Sequence, residues 1–514
     1  METTSPRSGS KMTRYFLWLV GWLGTAGVLC AQGMKFDDST YRKVPQKYTY
    51  RATDAARLPP RVDLSMYVPS AMSQGKLGTC VGFSTAYYMR TILEAIRLGM
   101  TDRAAIDTIR FSPSYLYNAI KDEDDSDCLG GTDLDVALTY LKQHGVARLS
   151  QQPYPDCEVR NELALASQSK IMDYIRLFGL SERPESIVNA TRKALFEKTP
   201  VVIGFQTTPS LKNLGIWGRL WRWIVRLFGG EDDRGLWKPA DSDRLGGGHA
   251  ICVVGYDDEK FGGAFRAVNS WGKSWGEEGF FWIRYSDYST YTKYGYQAYL
   301  PIESDSAEVT LSGQVSVLHA TFVTGNEVPF LRSLEGKGTQ SNGDEQMVAY
   351  TLRDALPIGS NFYFTANVDR LSYVYVLAAS ASELHTEKIF PISDTISPIV
   401  GANTKLVLPS DKAPDLDLQN PLMMPADGLV YTLVGEPGTE YWLFLFSEKA
   451  LDIDEYVYDL NESEGNFTSR VLKVFGKDLV PYQQVEYDAR KMGFVLRGQH
   501  EGYIVPLLVG LQQK

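Results

Sequence analysis

Two hydrophobic periods occur along this chain, and the place where one replaces the other divides it. Apolar residues from Val81 to Leu98 recur on one helical face and stop at Gly99, which predicts a buried helix opening at Cys80. Asp133 to His144, closed by Gly145, predicts a second helix. Val201 to Gln206, Ala250 to Tyr256, Phe265 to Asn269 and Gly279 to Tyr285 predict strands. Beyond Glu303 the helical spacing fades. Phe362 to Ala366, Tyr373 to Leu377 and Tyr441 to Phe446 are aromatic and β-branched, with proline, glycine and aspartate turns between such runs. That predicts an all-β, sandwich-like domain.

The chain thus reads as a mixed α+β segment over 58–302, a linker and first β segment over 303–345, and a β-sandwich-like accessory domain over 346–514. Residues 333–345, rich in serine, glycine and glutamate, predict a flexible loop. A length of 514 residues exceeds one ordinary core and agrees with two domains. The net charge of −10 is spread along the chain, and no basic, aromatic-studded stretch occurs, so nucleic acid is not an expected partner.

At the N-terminus, Lys11 and Arg14 precede an apolar run from Tyr15 to Leu29 that ends in Cys30-Ala31-Gln32. This is the pattern of a secretory signal over 1–31, with cleavage after Ala31. About 15 apolar residues fall short of the roughly 20 that a spanning helix needs. Acylation of Cys30 is a further alternative, although Leu29 is larger than the residue such a signal usually places there. Residues 32–57 are polar and basic without periodicity and read as a linker or short pro-segment. The expected location is outside the cytoplasm: periplasm, cell surface or medium.

The chemistry concentrates in three segments: Ser73-Gln74-Gly75-Lys76-Leu77-Gly78-Thr79-Cys80-Val81-Gly82-Phe83-Ser84, then Gly248-His249-Ala250, then Asn269-Ser270-Trp271-Gly272-Lys273-Ser274-Trp275-Gly276. They supply a thiol nucleophile, an imidazole base, an amide to orient it and a donor for an oxyanion. A thiol at a helix N-terminus beside an imidazolium is stabilised as thiolate. Alone, each residue has a plainer role: a structural cysteine, a satisfied core histidine, a turn-capping asparagine. With Cys80 as nucleophile and Cys252 inside an apolar strand, Cys128 and Cys157 remain as the available disulfide pair, though sequence does not show that they meet.

The three segments, in this order, resemble the papain family of cysteine peptidases over about residues 58–302. The resemblance implies a two-lobed fold, one lobe helical and one β-rich, with Cys80 facing His249 across a cleft. It implies attack by Cys80, proton transfer by His249, orientation of His249 by Asn269, and oxyanion stabilisation by Gln74 with the Cys80 N–H. Trp271 would cover the His249–Asn269 pair, and Ala250 completes the histidine motif. Gly130 and Gly131 match the glycine pair that binds substrate backbone by strand addition. Asp133 looks like part of the main specificity pocket, where it would favour a basic or polar side chain. No metal or organic cofactor is implied.

Departures from the family pattern also carry expectations. Leu77 stands where the family's cysteine bridges to the position of Cys128, which frees Cys128 for Cys157. Val81 replaces a tryptophan, and Gly248 an acidic or amide residue. The family's long inhibitory propeptide does not fit before Leu58, so any latency comes from the short segment, the C-terminal domain or a separate inhibitor. Residues 211–229 form an insertion that interleaves Trp217, Leu220 and Trp221 with Arg219, Arg222 and Arg226. Packing on its own domain, or as a lid beside the cleft, is favoured over membrane contact for this stretch.

The C-terminal half holds no convergent catalytic set. Asp452, Asp454 and Glu455 read as a solvated loop ahead of a calcium site. This half resembles, loosely, a bacterial accessory domain that binds a surface or protein partner. The expected function is a secreted bacterial endopeptidase acting on peptide or protein substrates. A transpeptidase using the same thioester and a non-catalytic peptide-binding or adhesive module are the alternatives.

Overall fold

A computed structural model describes residues 33–48, 58–158, 169–215, 233, 235–301, 309–321, 330–334, 336–340, 347–352, 354–380, 385–402, 404–409, 430–434, 436–488 and 491–514. The signal pattern over 1–31 and the tryptophan-rich part of the 211–229 insertion lie outside these residues.

The first half begins with a strand, Met34–Lys35 (β1), and a helix, Asp38–Lys43 (α1), capped by Asp37, whose side chain accepts the N–H groups of Ser39 and Thr40. Strand Arg61–Asp63 (β2) follows. Cys80–Gly82, Phe83–Arg90 and Thr91–Arg97 then run on as one helix (α2), with a wide i→i+5 turn in the middle stretch. Its N-terminal two-thirds are buried all round, and it ends where Gly99 takes φ +63°. Pro113–Ile120 (α3) and Leu134–Gln143 (α4) pack beside it, α4 ending before Gly145 at φ +79°. Thr132–Asp133 (β3) leads into α4.

Further elements of this half include Asp173–Arg176 (β4), Pro184–Phe196 (α5), Val201–Gln206 (β5), Gly248–Asp257 (β6), Ala264–Val268 (β7), Phe280–Arg284 (β8) and Thr292–Tyr299 (β9). Among the described residues they form a sheet in the order β3-β1-β6-β5-β9-β4, with β2 and β7 also on β6 and β8 on β7. All four strands expected from the sequence in this half are present to within two residues at each end.

The second half is β-rich. One seven-stranded sheet includes Val309–Thr321 (β10), Asn361–Val368 (β11) and Gly493–Arg497, and another includes Gly336–Gln340, Val348–Leu352, Ser372–Ser380 (β12), Thr439–Ser447 (β13) and Ile504–Gln512. Leu311, Val315 and Phe364 of the first sheet share a core with Val374, Val376, Phe444 and Phe446 of the second. Residues 336–340, expected to be loop, are a strand because they pair antiparallel with 348–352. Two helices, Ile453–Glu462 (α6) and Phe467–Phe475 (α7), modify the all-β expectation. The acidic cluster is their start, not a loop: Asp452 accepts the Glu455 N–H as an N-cap, and Asp454 pairs with Lys388 at 2.6 Å.

Candidate active site

Helix α2 begins at Cys80, and strand β6 carries His249 one residue from its start, so helix packing on this strand brings the two segments together. The backbone N–H groups of Ala250 and Gly33 both point at the Cys80 thiol. His249 Nε2 lies 2.8 Å from Asn269 Oδ1, which also accepts the N–H of Ser270 at 2.8 Å. Oδ1 is an acceptor only, so Nε2 carries the proton and Nδ1 is the free, basic nitrogen. Nδ1 is buried and has no partner among the described residues. Trp271 lies over the imidazole with ring centres 5.2 Å apart, and Trp275 meets Trp271 edge-on at 5.1 Å.

Burial sets the charge state. Cys80 and His249 have no exposed surface. Desolvation raises the Cys80 pKa to about 11 against the opposing pull of its N–H donors, and lowers His249 to about 4. Burial thus favours the neutral thiol and the neutral imidazole over the thiolate–imidazolium pair in this closed form.

Gln74 is fastened to the same constellation. Its Oε1 accepts Ser270 Oγ at 2.5 Å, its Nε2 donates to Leu77 O at 2.7 Å, and its N–H donates to Ser270 O at 2.7 Å. These hydrogen bonds fix the plane of the Gln74 amide beside Ser270. Tyr154 supports this loop, donating to Gln74 O at 2.6 Å and meeting Thr79 Oγ1 at 2.9 Å. Tyr88 donates to Asn269 O at 2.9 Å. Ser270, Tyr88 and Tyr154 were not singled out from the sequence. Ser270 sat in plain view between Asn269 and Trp271, whereas nothing local marks the tyrosines.

The cleft is occupied by the chain itself. Strand β1 pairs parallel with β3 (Met34 with Thr132, Lys35 with Asp133) and antiparallel with β6 (Met34 with Gly248). Thr132 N–H donates to Gly33 O at 2.8 Å. Gly131, at φ +74°, comes so close that a Cβ there would overlap Gly33 O, and a Cβ on Gly33 would overlap Gly78. The Met34 side chain fills the space over Gly204 beside Leu134. Gly130 donates its N–H to Asp125 Oδ1 at 3.1 Å. Asp133 spends its carboxylate on the cap of α4, accepting the N–H of Asp135 at 2.7 Å, and burial raises its pKa to about 6. Cys128 and Cys157 are joined in a disulfide, while Cys80 and Cys252 are free and buried.

A model described as the papain family of cysteine proteases matches residues 233–300, the stretch holding His249, Asn269 and Trp271. This chain carries a papain-like cysteine peptidase domain. Similar curated proteins include cysteine proteinase EP-B 1 of Hordeum vulgare, 27% identical over 45% of this chain and 56% of that protein. Another is cysteine protease Amb a 11.0101 of Ambrosia artemisiifolia, 28% identical over 46% of this chain and 50% of that protein. The chain spans about half the length of these relatives. Among solved structures, xylellain, a cysteine protease from Xylella fastidiosa, is similar at 23% identity and a TM-score of 0.41, over 53% of this chain and 97% of that one. In the peptidase domain, β1 thus lies where the catalytic and glycine-pair segments converge.

Proposed function

We propose that this protein is an exported bacterial cysteine endopeptidase that hydrolyses peptide bonds through a thioester on Cys80. The observation that carries the reading is the state of His249: Nε2 is bonded to Asn269, while Nδ1 is buried and unpartnered on the strand whose next N–H points at the Cys80 thiol. Nδ1 takes the thiol proton as sulfur attacks the scissile carbonyl carbon. The tetrahedral oxyanion draws on Gln74 Nε2 and the Cys80 N–H. Collapse breaks the C–N bond, and the proton on Nδ1 passes to the leaving amine. Water, deprotonated by the same nitrogen, then releases the acid and restores the thiol.

Export is supported by the charged and apolar pattern of residues 11–31 and by the Cys128–Cys157 disulfide, a bond favoured outside the cytoplasm. No described helix is long and apolar enough to cross a membrane. The bacterial assignment leans on the C-terminal half, whose strands resemble a bacterial accessory domain.

The test uses residues 32–514 and fluorogenic peptides, with Gly33→Val to displace β1 from the cleft and Cys80→Ala as control. Hydrolysis by Gly33→Val that disappears in the Cys80→Ala combination is the expected result. If Gly33→Val neither cleaves peptides nor reacts with an epoxide inhibitor at Cys80, the reading is wrong.

A further inference from the structure

The segment that fills the cleft is fastened at its far end by the other half of the molecule. Its head is β1. Its body is α1, where buried Tyr41 stacks on Tyr294 at 4.3 Å, donates to Phe178 O at 2.7 Å and accepts the Gly295 N–H at 3.2 Å. Asp38 pairs with Lys293 at 2.8 Å. Head and body therefore rest on the peptidase domain.

The tail, residues 44–48, is gripped by both halves. Gln46 lies as a single strand residue between the two halves, bridged in parallel to Arg176 of β4 on one side and to Ile396 on the other. On the C-terminal side the Gln46 N–H donates to Thr395 O at 2.6 Å, and Gln46 O accepts the Ser397 N–H at 2.8 Å. On the peptidase side Lys47 N–H donates to Arg176 O at 2.8 Å, and Arg176 N–H to Pro45 O at 3.1 Å. Tyr48 is buried in the core of the C-terminal half, with Phe390 edge-on at 6.0 Å.

Between these contacts Lys47 Nζ is sealed against Glu197 and lies 2.7 Å from Gln297 Oε1. The C-terminal half helps exclude water here, since Gly401 packs against the Glu197 carboxylate so closely that a Cβ added to it would come within 3.2 Å. Lifting this half away would strip Gln46 of two hydrogen bonds, expose the Tyr48 ring and hydrate the ion pair together.

We propose that the C-terminal β-rich half is the latch of the cleft-filling segment: its seat on residues 46–48 holds β1 over Cys80, and loosening that seat releases the head. The inference rests on the peptidase reading for its consequence, but its structural claim is independent. Coupling runs through nine residues of chain between Lys35 and Pro45, of which α1 forms six.

Amide hydrogen exchange of residues 32–514 tests the claim without reference to catalysis. Gln46→Pro removes the N–H that reaches Thr395, and Tyr48→Ala empties the C-terminal core of its tenant; both leave β1 and α1 unchanged. Exchange in peptides spanning 33–43 is expected to rise on the order of tenfold or more, as expected from losing one or two buried hydrogen bonds. Amides of α2 and β6 should stay protected.

Where either variant also unprotects α2, Phe390→Ala, which meets the tail at Tyr48, decides in its place. A rise confined to 45–48 and 395–397, with 33–43 unchanged, overturns the latch. Epoxide labelling of Cys80 in Gly33→Val separately reports the peptidase. A reactive Gly33→Val with unresponsive latch variants sinks the inference alone, whereas raised exchange with an inert Cys80 sinks the peptidase alone.

Discussion

Thiol reactivity across pH gives the most direct reading of the closed cleft. With Cys80 titrating near 11, only about one molecule in ten thousand carries the thiolate at pH 7, against about three in a hundred for a free cysteine near 8.5. A more basic thiolate is also more nucleophilic, by about tenfold for this difference at a Brønsted slope near 0.45. The two effects leave Cys80 about 20-fold slower than a free thiol at neutral pH, before any shielding by β1. Because the pKa is raised, reactivity must climb with pH. The logarithm of the rate should rise about one unit per pH unit from 6 to 10, with no plateau. Exchange with dithiodipyridine, followed by thiopyridone release, measures it, with Cys80→Ala subtracting the contribution of Cys252. A plateau below pH 8 would refute the reasoning, since it would mean that a thiolate–imidazolium pair already exists beneath β1.

Two further outcomes follow from contacts of single side chains. In the Gly33→Val background, Ser270→Ala removes the hydroxyl that fixes Gln74 Oε1 and should lower kcat about tenfold with KM little changed; an equal rise in KM would show that it served binding. Lys47→Met leaves the buried Glu197 carboxylate without its main cation and should cost about 3–5 kcal/mol, with Lys47→Met/Glu197→Gln recovering part. Thermal unfolding checks this, and a loss under about 1 kcal/mol would place the pair in water.

The parts that were legible from sequence were those governed by near neighbours. The helix from Cys80 to Gly99 and strand β6 are runs whose burial is decided within their own length, and the catalytic motifs sit at their ends. Strand β12 was legible for a different reason. Val374 and Val376 face the core between the sheets, while Tyr373, Tyr375 and Leu377 face Ile175, Tyr299 and the helices α6 and α7, so both sides are apolar and the run is unbroken.

Helices α6 and α7 were missed although Asp452 and Asn466 occupy N-cap positions, because the acidic residues after Asp452 resemble a loop in composition. The segment 33–48 was illegible because its partners (Gly248, Tyr294, Thr395 and Phe390) are scattered over the rest of the chain. Asp133 shows the same limit at one residue: nothing in its motif marks its carboxylate as the cap of α4.

Gln46 and residues 395–397 are separated by roughly 350 residues, and at about 5–20 residues per second that interval takes about 20–70 seconds to synthesise. Cys80, His249 and Asn269 all leave the ribosome well before Thr395 exists. During every round of biosynthesis, therefore, the catalytic residues are complete while one of the two surfaces that grip the tail has still to be made. A peptidase half that folds before residues 395–397 are at hand has only Tyr41 and the peptidase sheet to keep the cleft filled.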